Sequence, residues 1–190
     1  MSYRETTAKL AEYRREIGAL RERMRVLQAE IEPEEVADYS FTTAEGPVRL
    51  SRLFGDKDTL FVIHNMGRAC PNCTMWADGF NGVLPHLENR AAFVVTSPDD
   101  PATQATFAAS RGWRFRMVSH QDTDFAAAMG YRSESGSWLP GVSVFKKQGG
   151  RVRRVSDQRL GPGDDLCSVW HFFDMIPEGP AGWQARFNYQ

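Results

Sequence analysis

The sequence predicts an α/β protein. Short apolar runs such as "TLFVIHNM" (59–66) and "AAFVVTS" (91–97) alternate with segments whose apolar residues recur at helical spacing. That alternation implies parallel strands joined by crossover helices. A glycine-flanked hairpin, "PGVSVFKKQGGRVRRVS" (140–156), adds antiparallel strands, so the expected sheet is mixed. With 190 residues, 42% of them hydrophobic and 25% charged, the chain can bury one good core.

The first element is the most regular. Tyr3, Thr6, Leu10, Tyr13, Ile17, Leu20, Met24, Leu27 and Ile31 recur at alternating spacings of three and four, which predicts a helix over 3–31 with a heptad stripe. The other positions are dense in Arg and Glu, Glu5 and Lys9 are spaced for an i to i+4 pair, and Pro33 marks the stop. At ~1.5 Å per residue the helix runs to roughly 40 Å, longer than the face of a small domain. Residues 1–35 therefore read as a helical arm that joins two copies into a homodimer, and 36–190 as the domain. A helix folded along its own domain is the alternative.

After the arm, "DYSFTTAEGPVRLSRLFG" predicts a strand, a turn at Gly46-Pro47, a short strand into Leu50 and one helical turn ending near Gly55. A buried strand over 59–65 follows. Trp76, Phe80, Val83, Leu84 and Leu87 then place a helix over 71–89. Next come the strand in 91–97, a helix from Pro101 to Ser110, the strand in "WRFRMVS", a helix around 124–129 and the hairpin. A last helix over 164–174 has Leu166, Val169, Trp170 and Phe173 on one face.

The formal net charge of −1 gives no footprint for nucleic acid, and no apolar run is long enough to span a membrane. The N-terminal residues lack a secretory apolar block, so a soluble, cytoplasmic protein is expected. Three cysteines in a reducing compartment do not suggest a permanent disulfide framework.

Two of them, Cys70 and Cys73, form a C-x-x-C at the start of the predicted 71–89 helix. A pair so placed can close a disulfide with little backbone movement, and the unpaired N–H groups of the first turn favour a thiolate on the first sulfur. Cys70 then attacks and Cys73 resolves. Pro71 suits the first helical position, where its missing N–H costs nothing. Zinc is the chemical competitor, but the other half of a four-ligand site is missing: only Cys167 remains, and His64, His86, His120 and His171 form no ligand-spaced pair. No metal and no cofactor are expected. A purely structural pair is the third reading.

Strand "TLFVIHNM", helix-opening "CPNC" and later "LPGVSVFKKQGG" resemble the thioredoxin fold. The resemblance implies a cis peptide before Pro140, facing the thiols, with the Leu139 backbone free to pair with a bound substrate. The strand beginning at Phe41 and "GPVRLSRLFG" resembles the front end of the thiol-peroxidase and TlpA-like branches. Over nearly the whole chain, through "CPNCTMWADGFNGVLPHL", "RGWRFRMVS", "DFAAAMGY" and "PGVSVF", the sequence is similar to an uncharacterised bacterial family, domain of unknown function 899, presumed to be dithiol-disulfide oxidoreductases. In thioredoxins an aspartate six residues before the first cysteine helps move the proton of the second. Here that position is His64, which titrates near neutrality and is expected to act toward Cys73, or else to be a core histidine. The tryptophan that precedes the first cysteine in thioredoxins is Ala69. Its neighbour Arg68 is either a docking point for an anionic substrate such as glutathione or a solvated loop residue.

The expected function is thiol-disulfide exchange on a protein or small-molecule disulfide. A thiol peroxidase is an alternative, weakened because the Thr or Ser such enzymes carry three residues before the attacking cysteine is Gly67 here. A non-catalytic redox-sensing or assembly module is the other. Trp76 and Phe80 are expected in the core, as is Cys167, an inert thiol.

Overall fold

The computed structural model describes residues 1–189 and divides the chain at Pro33 into two units, each with its own contacts. The first is helix α1, Tyr3–Ala29. Ser2 caps it: the Glu5 amide donates to Ser2 Oγ at 3.2 Å, and the Glu5 carboxylate accepts the Ser2 amide at 2.8 Å. Glu5 is thus engaged at the helix start, where a negative charge suits the dipole, rather than four residues on toward Lys9. No residue of α1 is buried.

The second unit begins with β1 (Glu34–Glu35), β2 (Ser40–Thr43), β3 (Gly46–Arg49) and a 3₁₀ turn at Leu50–Arg52. It continues through β4 (Thr59–His64), α2 (Pro71–Arg90), β5 (Ala92–Ser97), α3 (Pro101–Arg111), β6 (Arg116–Ser119) and α4 (Phe125–Ala128). It closes with β7 (Gly141–Gln148), β8 (Arg151–Arg159) and α5 (Ser168–Phe173). One eight-stranded sheet runs in the order β1-β8-β7-β4-β5-β6-β2-β3. Strands β4, β5 and β6 are parallel, β7 and β2 join them antiparallel, and β8 pairs antiparallel with β7. The pair β1–β8 carries no sequence signal, because two glutamates opposite Arg154 and Arg153 read as solvated chain until the edge strand is in place.

Side chains alternate across the sheet with period two, and each face has its own core. On one face Leu60, Val62, Val94, Val118 and Phe145 meet Phe41, Leu50, Phe54, Phe125 and Tyr131. On the other, Ile63, Phe93, Val95, Phe115 and Val142 meet Cys73, Trp76, Ala77, Phe80 and Leu84 of α2. Burial of each large apolar side chain stabilises by ~1.5–3 kcal/mol, which holds α2 against the sheet.

Helix α2 contains Pro85, which has no N–H to give to the Asn81 carbonyl one turn back. The Arg114 guanidinium donates to that carbonyl at 3.1 Å, and the Asn81 side chain ties the Gly112–Arg114 segment down through Gly112 O and the Arg114 amide.

The expected cis bond before Pro140 is absent: no described peptide bond is cis. Residues 131–139 close on themselves instead. The Leu139 amide donates to Tyr131 O at 2.9 Å, and Arg132 bridges Trp138, so the chain enters β7 extended. The Leu139 N–H is therefore taken within the chain and is not open to pair with a substrate. Gly141 follows, and Tyr131 explains it: a Cβ there would sit 1.9 Å from Tyr131 Cε1.

Candidate functional site

The thiols sit where β4 gives way to α2. Residues 65–69 are shaped by three polar anchors. The Asn65 side-chain oxygen accepts the Gly67 amide at 2.8 Å, the Asn65 amide donates to Thr96 O at 2.9 Å, and Asp99 accepts the Arg68 amide at 2.8 Å. Gly67 has φ +100°, a conformation that disfavours side chains, and a Cβ there would stand 3.0 Å from the Asp99 carboxylate. Gly67 thus occupies the position where a hydroxyl residue would serve a peroxidase, and backbone shape accounts for it. Its carbonyl accepts the Cys70 amide at 3.1 Å.

Cys70 is the N-cap of α2, extended at φ −99° and ψ 106°, with Pro71 in the first turn. Its sulfur accepts the Cys73 amide at 3.0 Å, satisfying one of the orphan donors of the helix start. Both thiols are free; Cys70 is half-buried and Cys73 buried. Hydrogen bonding from the Cys73 side chain, aided by the Cys73 and Asn72 amides, brings the Cys70 thiol down from 9.0 to about 7 against the opposing effect of burial. The Cys73 thiol moves the other way, raised first by its hydrogen bond to Cys70, then by burial and by the charge on Cys70. One sulfur is primed as thiolate and the other held as thiol.

His64 does not join them. It lies at the end of β4 one residue beyond Ile63, and alternation turns its ring to the opposite face of the sheet from Cys73. There it stacks on Tyr131 at 3.8 Å and on Phe125 at 5.5 Å, and its Nε2 bonds Ser143 Oγ at 2.9 Å. Burial, with His120 and Arg154 nearby, holds its pKa well below 6.5. The expectation that His64 accepts the proton of Cys73 is therefore corrected: it is a neutral core histidine. Counting six residues back from Cys70 located the strand end but carried no information on which face its side chain takes.

Arg68 is exposed, two residues before Cys70, and borders two adjoining hollows of about 320 and 330 Å³. Thr103, Thr106 and Phe107 of α3 line the first; Ala69, Phe107 and Phe187 line the second. Cys167 is buried, and burial raises its pKa. Trp76 is a core residue whose indole N–H reaches Asp164 at 2.8 Å. Among the described residues no group of three or more His, Cys, Asp or Glu side chains is placed to hold a metal ion, and no helix is long and apolar enough to cross a membrane.

Sequence reasoning missed Asp99. In "SPDDP" the two aspartates look alike, yet Asp100 caps α3 through the Ala102 and Thr103 amides, whereas Asp99 reaches back to the thiol loop. Only the tertiary placement of β5 beside β4 separates their roles.

Among curated proteins no sequence matches this chain. Solved structures do resemble it. Peroxidoxin BcpB from Mycobacterium tuberculosis is 23% identical, with 80% of this chain and 97% of that one covered at a TM-score of 0.57. A cysteine-to-serine mutant of Xylella fastidiosa PrxQ is 17% identical, covering 75% and 94% at 0.60. A cysteine-to-serine mutant of Xanthomonas campestris peroxiredoxin Q is 18% identical, covering 73% and 91% at 0.56. At these identities the likeness is one of fold, and that fold is the thioredoxin fold. Residues 3–187 match the model of a bacterial protein family of unknown function, DUF899, and the chain belongs to that family.

Proposed function

We propose that the protein is a dithiol-disulfide oxidoreductase in which Cys70 attacks and Cys73 resolves. The observation that carries the reading is the pair itself: a half-buried sulfur at the N-terminus of α2, with a thiol pKa of about 7, above a buried partner one turn deeper. The Cys70 thiolate attacks one sulfur of a substrate disulfide, forms a mixed disulfide and expels the other sulfur as a thiolate, which takes a proton from solvent. Cys73 gives its proton to solvent, attacks the Cys70 sulfur and closes Cys70–Cys73, expelling the second substrate sulfur as a thiolate that takes up a proton from solvent. The substrate gains two electrons, the dithiol loses two, and an external thiol reductant restores it.

With His64 on the other face, the second deprotonation has a source within the pair. The hydrogen bond to Cys70 and the negative charge on Cys70 both raise the Cys73 pKa. Both disappear once Cys70 is bonded to substrate sulfur, while the Met66 amide and the Cys73 amide remain to favour a Cys73 thiolate. Formation of the mixed disulfide thus acidifies the resolving thiol without a separate base.

Cys73→Ser should trap a mixed disulfide at Cys70, visible by mass spectrometry, whereas Cys70→Ser should trap none and abolish disulfide reduction. Full turnover by Cys70→Ser would overturn the reading. A second reading is a thiol peroxidase, supported by the likeness in fold to peroxiredoxin Q and peroxidoxin BcpB. Here the Cys70 thiolate attacks a hydroperoxide oxygen, giving Cys70–SOH and an alcohol or water. Cys73 then condenses with it to the same disulfide, releasing water. Comparing the rates at which hydrogen peroxide and a disulfide oxidise the reduced protein separates the two.

A further inference from the structure

Within its own unit, helix α1 has nothing to bury its apolar stripe. Leu10, Tyr13, Ile17, Leu20, Met24 and Leu27 are between 45% and 66% exposed. With Leu10, Ile17 and Met24 as one core row and Tyr13, Leu20 and Leu27 as the other, heptad geometry places Lys9, Glu16, Arg23 and Glu30 along one flank. Thr7, Arg14, Arg21 and Gln28 lie along the other. The charges on these flanks identify both the occupant of the stripe and its direction.

In a parallel pair, Glu16 meets the partner's Arg21 but Lys9 meets the partner's Arg14, so attraction and repulsion cancel. An antiparallel pair with Ile17 against the partner's Leu20 is different. Glu16 then meets the partner's Arg23, and Lys9 meets the partner's Glu30. Symmetry makes each contact twice, against one repulsive type, Arg14 with the partner's Arg21. Sliding the antiparallel pair by one heptad sets Lys9 against the partner's Arg23, Glu16 against the partner's Glu16 and Arg14 against the partner's Arg14, all repulsive. We infer that α1 docks on α1 of a second copy of this chain as an antiparallel coiled coil, Ala8 level with the partner's Ala29 and Ile17 packed on the partner's Leu20. The contact is isologous and closes as a dimer. It is independent of the redox chemistry and stands or falls apart from it.

Sedimentation equilibrium of the full-length protein tests the inference through charge exchange, with circular dichroism confirming that each variant keeps its helix. The wild type should be a dimer. Glu16→Arg or Arg23→Glu alone turns two attractive contacts repulsive and should raise the dissociation constant about tenfold. The double variant E16R/R23E should return it to near the wild-type value. Arg21→Glu should tighten the dimer, because it converts the Arg14 repulsion into attraction. A monomeric wild type overturns the inference. So does a failure of Arg23→Glu to rescue Glu16→Arg, the result a parallel pair would give, since Arg23 there faces the partner's uncharged Gln28.

Discussion

At the scale of the residue, the lowered pKa of Cys70 comes from donors that its position supplies: the Cys73 thiol, the Cys73 amide and the Asn72 amide. A thiol with a pKa of about 7 is half ionised at neutral pH, so alkylation of Cys70 by iodoacetamide should rise through pH 7 and level off above about pH 8. An inflection at the ordinary thiol value, about 8.5, would show that these donors do not act. His64→Ala should lose the Ser143 bond and the stacking on Tyr131, lowering stability by about 2–4 kcal/mol in urea unfolding. It should leave the pH dependence of mixed-disulfide resolution unchanged; a shifted profile would return the ring to the reaction. Arg68→Ala should slow reduction of the anionic disulfide of glutathione more than reduction of a neutral aromatic disulfide. Equal slowing would remove Arg68 from substrate recognition.

Among the elements, β7 and α1 show opposite roles for glycine. At Gly141 the demand is space, since the Tyr131 ring lies where a Cβ would go, and its hydroxyl donates to Val142 O at 3.1 Å. Gly141→Ala must displace that ring and should cost about 1–3 kcal/mol in urea unfolding, the usual range for overpacking. Gly18 in α1 has nothing within 4 Å of a Cβ position and a helical backbone. Gly18→Ala should stabilise the helix by about 0.5–1 kcal/mol, read as a raised melting temperature of the far-ultraviolet signal. Helix α2 tolerates Pro85 because the one carbonyl it deprives, that of Asn81, has a donor in Arg114.

The whole domain is built as two cores on one sheet, and the division explains both its chemistry and its acid response. One face carries the thiols; the other carries the two buried histidines, His64 and His120. His120, packed edge-on against Trp138, is buried, and that burial pulls its pKa from 6.5 to about 4. A histidine kept neutral by the fold costs nothing above about pH 6.5, where both states are unprotonated. Below that the unfolded chain takes up the proton first, so stability falls as pH drops from 6.5 to about 4, by about 3 kcal/mol for His120. His64 acts in the same direction. Urea midpoints measured between about pH 7.5 and pH 4.5 should show this fall, and His120→Gln should flatten it. An unchanged slope in that variant would assign the acid response to His64 and the carboxylates instead.

The α/β class, the N-terminal helix, the strand into "CPNC", the hairpin at 141–159 and the place of the thiol pair at the start of α2 could all be read from the chain itself. Each rests on periodicity or on residues within one turn of each other, and local geometry is enough for both. The orientation of His64, the path of Leu139-Pro140, the clamp at Asp99 and the need for Gly141 could not. They depend on residues 31 and 79 positions apart meeting, as Asp99 meets Arg68 and Ser143 meets His64. A one-residue step along a strand reverses a side chain's face, so the placement of His64 was decided only when β4 took its register between β5 and β7.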